Sequence, residues 1–295
     1  MNEQKRRVAI FGNIYQTKKS DSIQRVLDSL QAFGDEVSME RQFHEFAVKK
    51  HALQYQPDHF IDDDSFEADF AISLGGDGTL LKTAAWVGSK QIPIMGVNMG
   101  RLGFLADVSP DDIELAIRAL HEGDYTVERH TAICVEGSGK ASFDKPFALN
   151  DIAVLKRDNA SMITIDASID GEHLVTYQAD GLIVSTPTGS TAYSLSNGGP
   201  IVMPDADILC LTPVAPHSLN IRPIAIPANS RVELTVSSRT HHFLVAIDGR
   251  SEQCHEHTRL TIRRADHDVL IIKQKGRSYI DTLRQKMMWG HDIRS

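Results

Sequence analysis

Cysteine is scarce in this chain. Cys134, Cys210 and Cys254 are the only three in 295 residues, widely separated and odd in number, a pattern of reduced thiols rather than of a disulfide framework. Long apolar runs are missing too: none approaches the ~20 residues that a membrane helix needs. The opening "MNEQKRRVAIFGN" has no apolar leader followed by a cleavage site. A cytoplasmic protein is expected, with no membrane partner. Positive charge is also short: 31 Lys+Arg stand against 39 Asp+Glu, a formal net charge of -8. That balance speaks against a general binder of nucleic acid or of membrane surfaces, since both need basic patches. An anionic substrate must then be neutralised locally, by a few cations, a metal or backbone N–H groups.

Several familiar site signatures are absent as well. There is no G-x-x-x-x-G-K-[ST], no G-x-G-x-x-G, no protein-kinase catalytic loop and no G-x-S-x-G elbow. "CHEH" at 254–257 superficially offers metal ligands, but the spacing is too tight for a usual tetrahedral zinc site and no partner cluster appears, so an exposed polar turn is expected there. "NAS" at 159–161 matches a glycosylation acceptor, which matters only in a secreted protein.

Strand and helix signals alternate in the first half. "RVAIFGN" (7–13), "ADFAISL" (68–74) and "IPIMGVN" (92–98) read as buried strands. "SDSIQRVLDSLQAFG" (20–34) reads as a helix with Ser20 at its N-cap, Gly34 at its end, and Ile23, Val26, Leu27 and Leu30 at helical spacing. "SPDDIELAIRALHEG" (109–123) reads as another, with Ser109 at the N-cap and Pro110 at N1. Such alternation predicts an open, mostly parallel sheet covered on both faces. Beyond about residue 125, short β-branched runs dominate, punctuated by "DG" turns at 170–171 and 248–249. Helix signals return only in "SYIDTLRQKMMWG" (278–290), where Ser278 and Asp281 form a cap pattern and Ile280, Leu283 and Met287 form one stripe. The expected division is therefore an α/β domain over 1–125, an all-β domain over 126–275, and a helix within 276–295 that buries its stripe on the α/β domain.

Three constellations carry chemistry. "GGDGT" (75–79) follows a strand and opens a helix, at the carboxyl edge where parallel sheets bind ligands. The N–H groups of Gly75, Gly76 and Gly78 and the helix N-terminus suit phosphate oxygens. Asp77 would repel a bare phosphate. It makes sense facing a hydroxyl to be deprotonated or a magnesium ion bridging to phosphate; the plainer alternative is a helix cap. "DGLIVSTPTGSTAYSLSNGGP" (180–200) is dense in small hydroxyl residues flanked by glycines, with Tyr193 offering an aromatic face; a hydroxyl-capped turn explains only part of it. "ALND" (148–151) sets an amide beside a carboxylate, able to donate to and accept from a ribose or purine; alone it is equally a plain turn.

Taken in order, "GGDGTLL" (75–81), "GVNMGRLGFLAD" (96–107), "ALND" (148–151) and the 180–200 stretch resemble the NAD kinase family, the ATP-NAD 2'-phosphotransferases, over most of the chain. "GGDG" alone is shared with diacylglycerol and sphingosine kinases and 6-phosphofructokinases, which leaves a lipid or sugar kinase as the rival enzyme and a catalytically silent NAD-binding sensor as the rival of another class. The resemblance implies an N-terminal Rossmann-like α/β domain followed by an all-β, β-sandwich-like NAD-binding domain, with the terminal helix returning to the first. It implies transfer of the γ-phosphate of ATP, with Mg²⁺, to the 2'-hydroxyl of NAD, in a homodimer or homotetramer. It implies Asp77 as proton acceptor and, with Gly76 and Gly78, as a contact of NAD, and Lys82 as a phosphate contact. Asn150, Asp151, Asp180, Thr191, Ala192, Tyr193, Ser194, Leu195 and Ser196 would bind the dinucleotide. The family pair usually reads Asn-Glu; Asp151 is one methylene shorter and keeps the charge. Gln178 stands where family members often carry arginine.

Overall fold

A computed structural model of the chain describes residues 5–14, 20–51, 53–100, 103–139, 142–157, 161–276 and 278–288. Arg101 and Leu102 of "NMGRLGFL", Asn159 and Ala160 of "NAS", and Trp289 and Gly290 of the last segment lie outside these residues, as does the side chain of Ser20. The chain forms two compact units, Met1–Arg129 with Leu270–Ser295, and His130–Val269.

The first unit opens with β1 (Arg7–Gly12), α1 (Ser20–Ala32), β2 (Glu36–Glu40), α2 (Arg41–His51), β3 (His59–Ile61), β4 (Phe70–Gly75), α3 (Asp77–Val87), β5 (Ile94–Asn98) and α4 (Ile113–Glu122). The strands lie parallel in the order β3-β2-β1-β4-β5. A parallel sheet covered on both faces needs strands apolar throughout, and β4 and β5 are buried along their whole length. Ile23, Val26, Leu27 and Leu30 of α1 are all buried in one core with Val8, Ile10, Ile72 and Ile117. Gly34 and Gly123 end α1 and α4 at positive φ, 73° and 74°, which a side chain would resist. One detail differs from the sequence reading: Ser109 and Pro110 lead first into a 3₁₀ turn, Pro110–Asp112, and the Ser109 hydroxyl donates to Asp112 Oδ2 at 2.8 Å.

The second unit is built from β6 (Tyr125–Gly137) beyond Arg129, β7 (Phe147–Ala148), β8 (Asp151–Lys156), β9 (Ile163–Ile169), β10 (Glu172–Ala179), β11 (Gly181–Ser185), α5 (Tyr193–Ser196), β12 (Ile208–Val214), β13 (Ile224–Pro227), β14 (Val232–Ser237), β15 (His242–Ile247), β16 (Arg250–His255) and β17 (Arg259–Gln274) up to Val269. One antiparallel sheet runs β10-β9-β14-β17, the other β13-β12-β11-β8-β15-β16. Alternate residues of both, such as Ile165 and Leu234 on one side and Val154, Val184 and Val245 on the other, share one core, the arrangement of a sandwich. The polar turn expected at "CHEH" is corrected in part. Cys254 is buried in β16 and His255 lies ring to ring with His242 at 4.4 Å, so the turn is confined to Glu256 and His257.

β17 ends beside β5, pairing Ile271 with Ile94 in parallel. The last helix, α6 (Tyr279–Met287), then returns to the first unit. Ser278 caps it, accepting from Asp281 N at 3.1 Å and donating to Asp281 Oδ2 at 2.7 Å. The expected stripe is only partly covered: no residue of the helix is buried, Leu283 and Met287 are half-buried, and Ile280 is 47% exposed. Tyr279, whose ring lies 6.1 Å from that of Phe104, and Lys286 also make contact. Helical spacing identifies a stripe but not which flank meets the neighbouring loop.

Candidate active site

In the first unit the chemistry collects where β4 turns into α3. Gly75 ends the strand, and a Cβ there would sit 2.1 Å from Thr79 Oγ1, so the turn cannot close around a larger residue. Gly76 is the N-cap. At Gly76 and Gly78 a Cβ would meet nothing within 4 Å. Packing among the described residues does not demand glycine at these two positions; a bare backbone open to an approaching ligand is what they leave. Thr79 N bonds back to Gly76 O at 2.9 Å, and the N–H groups ahead of it lie at the positive end of the helix dipole.

Asp77, the first residue of α3, does not cap its own helix. Its carboxylate reaches across to the loop after β5. Oδ1 accepts from Leu105 N at 3.0 Å and Ala106 N at 3.1 Å, and Oδ2 accepts from Phe104 N at 2.9 Å and from Lys286 Nζ at 3.2 Å. Burial alone would push this acid up; the three N–H groups and the ammonium outweigh it and hold the carboxyl below its usual value. The loop is fixed from behind. A Cβ on Gly103 would fall 2.0 Å from Asp77 Oδ1, and one on Gly96 would fall 2.7 Å from Ala106 Cα. Lys273 Nζ pairs with Asp107 Oδ2 at 3.0 Å and donates to Leu105 O at 3.3 Å. Lys82 is elsewhere: its Nζ is 2.5 Å from Glu40 Oε1, a carboxylate buried at the end of β2. Five residues along a helix place it about 140° around the axis from Asp77, so a phosphate contact requires it to leave that pair.

In the second unit "ALND" is gathered around Asp248. The N–H groups of Leu149, Asn150 and Asp151 donate to the Asp248 carboxylate at 2.7, 2.8 and 3.1 Å, and Asp248 N returns a bond to Asp151 O at 3.0 Å. Asp248 sits at φ 47°, a turn conformation that Asp tolerates better than most. A Cβ on Gly189 would lie 2.0 Å from Asn150 O, so the 3₁₀ turn Thr188–Thr191 packs directly on this backbone. Thr186 ties the two together, donating to Leu149 O at 2.5 Å and accepting from Gly189 N at 3.1 Å. Asn150 Oδ1 is buried and has no hydrogen-bond partner among the described residues. A buried acceptor left open is costly, so this oxygen is suited to an N–H or O–H of a ligand.

The hydroxyl-rich run divides by exposure. Ser190 Oγ is spent on Val202 N at 3.0 Å and Ser194 Oγ on Thr212 Oγ1 at 2.9 Å, both inside the unit. Ser194, a candidate ligand contact, thus keeps its hydroxyl for the fold. Thr191, Ala192 and Leu195 are half-buried, and Tyr193 and Ser196 are exposed. Asp180 stands apart, paired through Oδ1 with Lys156 Nζ at 2.7 Å, on a cavity of about 650 Å³ also lined by Gln178, Thr164 and Arg239. Neither Asn150 nor Asp151 lines that cavity, nor does the run from Thr191 to Ser196. The residues that sequence reasoning missed are Asp248, seen only as a turn, the N–H groups of Phe104, Leu105 and Ala106, and Lys286. Among the described residues no group of three or more His, Cys, Asp or Glu could hold a metal ion.

Burial, and then the nearby charge of Asp248, raises Asp151 to about 7. Its folded pKa lies above the unfolded one, so its contribution to stability is complete below about 4 and is lost as pH rises towards 7. Asp151→Asn removes that loss. The melting temperature of the variant relative to the parent is expected to climb by several degrees from pH 4.5 to pH 8, since a rise from the ordinary carboxylate value to about 7 is equivalent to up to about 4 kcal/mol. A difference independent of pH would show that Asp151 is ionised throughout.

The ATP-NAD kinase N-terminal domain matches residues 8–125 and the ATP-NAD kinase C-terminal domain matches residues 149–274. An NAD kinase of Bacteroides fragilis is 53% identical over 286 residues, 97% of this chain and 99% of its own length. One from Porphyromonas gingivalis is 40% identical over 291 residues, 98% of this chain and all of its own. Among solved structures, an NAD kinase from Archaeoglobus fulgidus in complex with ATP is similar at a TM-score of 0.75 and 27% identity, covering 96% of this chain and 98% of that one. Yeast NADH kinase complexed with NADH reaches a TM-score of 0.87 at 22% identity, a likeness of fold that covers 99% of this chain and 90% of that one.

Proposed function

The chain belongs to the ATP-NAD kinase family, and from that premise we infer that it transfers the γ-phosphoryl group of ATP to the 2'-hydroxyl of the adenosine ribose of NAD. A bond forms between the 2'-oxygen and the γ-phosphorus. The bond from that phosphorus to the oxygen bridging to the β-phosphate breaks, and the hydroxyl proton passes to Asp77, giving NADP and ADP. The observation that carries this assignment is the Asp77 carboxylate, held ionised beside two glycines with open faces at the end of a parallel strand. An ionised carboxylate orients a hydroxyl and accepts its proton as the oxygen attacks. A depressed pKa makes it a weak base, which suits a loose transition state in which positioning and charge neutralisation dominate over proton removal.

Mg²⁺ enters with ATP as part of that substrate, and the first N–H groups of α3 supply further positive field for the transferring group. Asn150 Oδ1 would accept from the dinucleotide, with Asp151, Thr191, Tyr193 and Ser196 as further contacts, and Asp180 would contact it from the separate cavity that it lines. The same reading places the enzyme in the cytoplasm, in keeping with three free cysteines, and in a homodimer or homotetramer, which would cover exposed apolar side chains such as Ile280, Met288 and Leu219. Phosphorus NMR of the product from NAD and Mg-ATP tests the assignment. A new monoester on the 2'-oxygen is expected; ATP hydrolysis without it, or a phosphate on another hydroxyl, would contradict the reading.

A further inference from the structure

An ionised carboxylate offers about four lone-pair positions, and all four on Asp77 are taken. Leu105 N and Ala106 N occupy Oδ1; Phe104 N and Lys286 Nζ occupy Oδ2. A carboxylate so filled has no position left for an acceptor hydroxyl. One partner must leave before Asp77 can do what the reading above asks of it.

The four partners are not equally free to leave. Three are backbone N–H groups of one loop, pinned by the close approach of Gly103 to Asp77, by the packing of Ala106 on Gly96, and by the buried Lys273–Asp107 pair. Withdrawing any of them would leave a buried amide without an acceptor. The fourth is the end of a flexible side chain on α6, a helix with no buried residue. Lys286 also has a second partner in that same position. Its Nζ lies 4.4 Å from the centroid of the Phe104 ring, whose face attracts an ammonium group, so moving off Oδ2 need not return it to bulk water unaccompanied.

We propose that Lys286 is the exchangeable occupant of the Asp77 carboxylate: it fills Oδ2 in the ligand-free protein and yields that position to the acceptor hydroxyl when NAD binds. It is a positioning residue, holding the carboxylate ionised and aimed until the substrate displaces it. The step is an exchange of hydrogen-bond donors, ammonium out and hydroxyl in, with no bond made or broken. This inference rests on the reading of Asp77 as the partner of the 2'-hydroxyl. It predicts that Lys286 competes with NAD, the opposite of what a substrate-binding lysine would do.

Calorimetric titration of NAD without ATP tests it on Lys286→Met, which keeps the aliphatic stem over Phe104 and removes the competing charge. The dissociation constant for NAD is expected to fall by about three- to tenfold, the range for losing a half-exposed ion pair to a carboxylate. Lys286→Arg keeps an ion pair that can grip with two donors, and its dissociation constant should equal or exceed that of the parent. Lys286→Gln, milder than the methionine, should shift affinity in the same direction and serves if the methionine variant melts early. An unchanged or weaker NAD affinity in the folded neutral variants would overturn the proposal, the first pointing to a purely structural contact and the second to a lysine that binds substrate. The two readings fail separately. If Asp77→Asn turns over at the parent rate, the role of Asp77 falls. If Asp77→Asn is slow yet neutralising Lys286 leaves NAD affinity unchanged, only the exchange falls.

Discussion

Asp77→Asn is expected to bind NAD about as well as the parent chain and to turn it over about 10²–10⁴-fold more slowly, the usual contribution of a positioned general base. Asparagine is nearly isosteric and its amide oxygen can still accept a hydrogen bond from the ribose, but it does not take up a proton at neutral pH. The structure sharpens the expectation. The side chain faces the N–H groups of Phe104, Leu105 and Ala106 rather than its own helix, so a capping role, which asparagine would fill as well as aspartate, is not what this residue has to lose. The amide must set its NH₂ against one of those donors or turn it to solvent, so some loss of stability accompanies the loss of rate. A melting curve beside the kinetics separates the two: the rate should fall far more than the folded fraction.

Gly103→Ala is the second large effect. The added methyl would stand 2.0 Å from Asp77 Oδ1, 2.8 Å from its Cγ and 3.1 Å from Ala106 O. None of these is the end of a long side chain that could swing aside. Either the loop withdraws, taking up to three donors from Asp77, or the carboxylate rotates away from the position in which they hold it. Overpacking of this kind costs about 1–3 kcal/mol, and turnover should fall by at least about tenfold, since small misplacements of a reacting group cost up to 10²-fold. Gly78→Ala supplies the contrast. Its Cβ would meet nothing within 4 Å, and alanine is favoured over glycine within a helix by roughly 0.5–1 kcal/mol, so it should melt at or above the parent temperature. Equal melting behaviour of the two variants would show that the Gly103 contact does not constrain the loop.

Much of the frame was legible in the sequence because it rests on local periodicity. Ile23, Val26, Leu27 and Leu30 recur at helical spacing and are buried together. The largely apolar "ADFAISL" announced a buried strand, found as Phe70–Gly75, and the loss of helix signals after residue 125 marked the antiparallel sheets. The proposed site was legible only where a side chain carries it. Asp77, Asn150 and Asp151 could be singled out by letter, whereas the N–H groups of Phe104, Leu105 and Ala106 have no letter of their own. Lys286 lies 209 residues from Asp77, and nothing local ties them together. Asp248 was passed over because "DG" satisfied the pattern of a turn, although the same turn aims a buried carboxylate at three amides. Conversely, Ser194 matched the hydroxyl-rich run but faces Thr212 inside the unit. Lys82 followed the glycine turn at a tempting distance but points to Glu40. In both, the burial of a neighbouring partner decided the direction, and burial is set by contacts far along the chain.

The most direct test of the central claim is the rate of phosphoryl transfer in a single turnover by Asp77→Asn, with NAD saturating and Mg-ATP added last, so that neither binding nor product release limits the signal. A rate at least about a hundredfold below that of the parent chain, with calorimetric NAD affinity within about threefold, is the predicted result. A single-turnover rate within about threefold of the parent would contradict the assignment of Asp77 as the group that receives the hydroxyl proton.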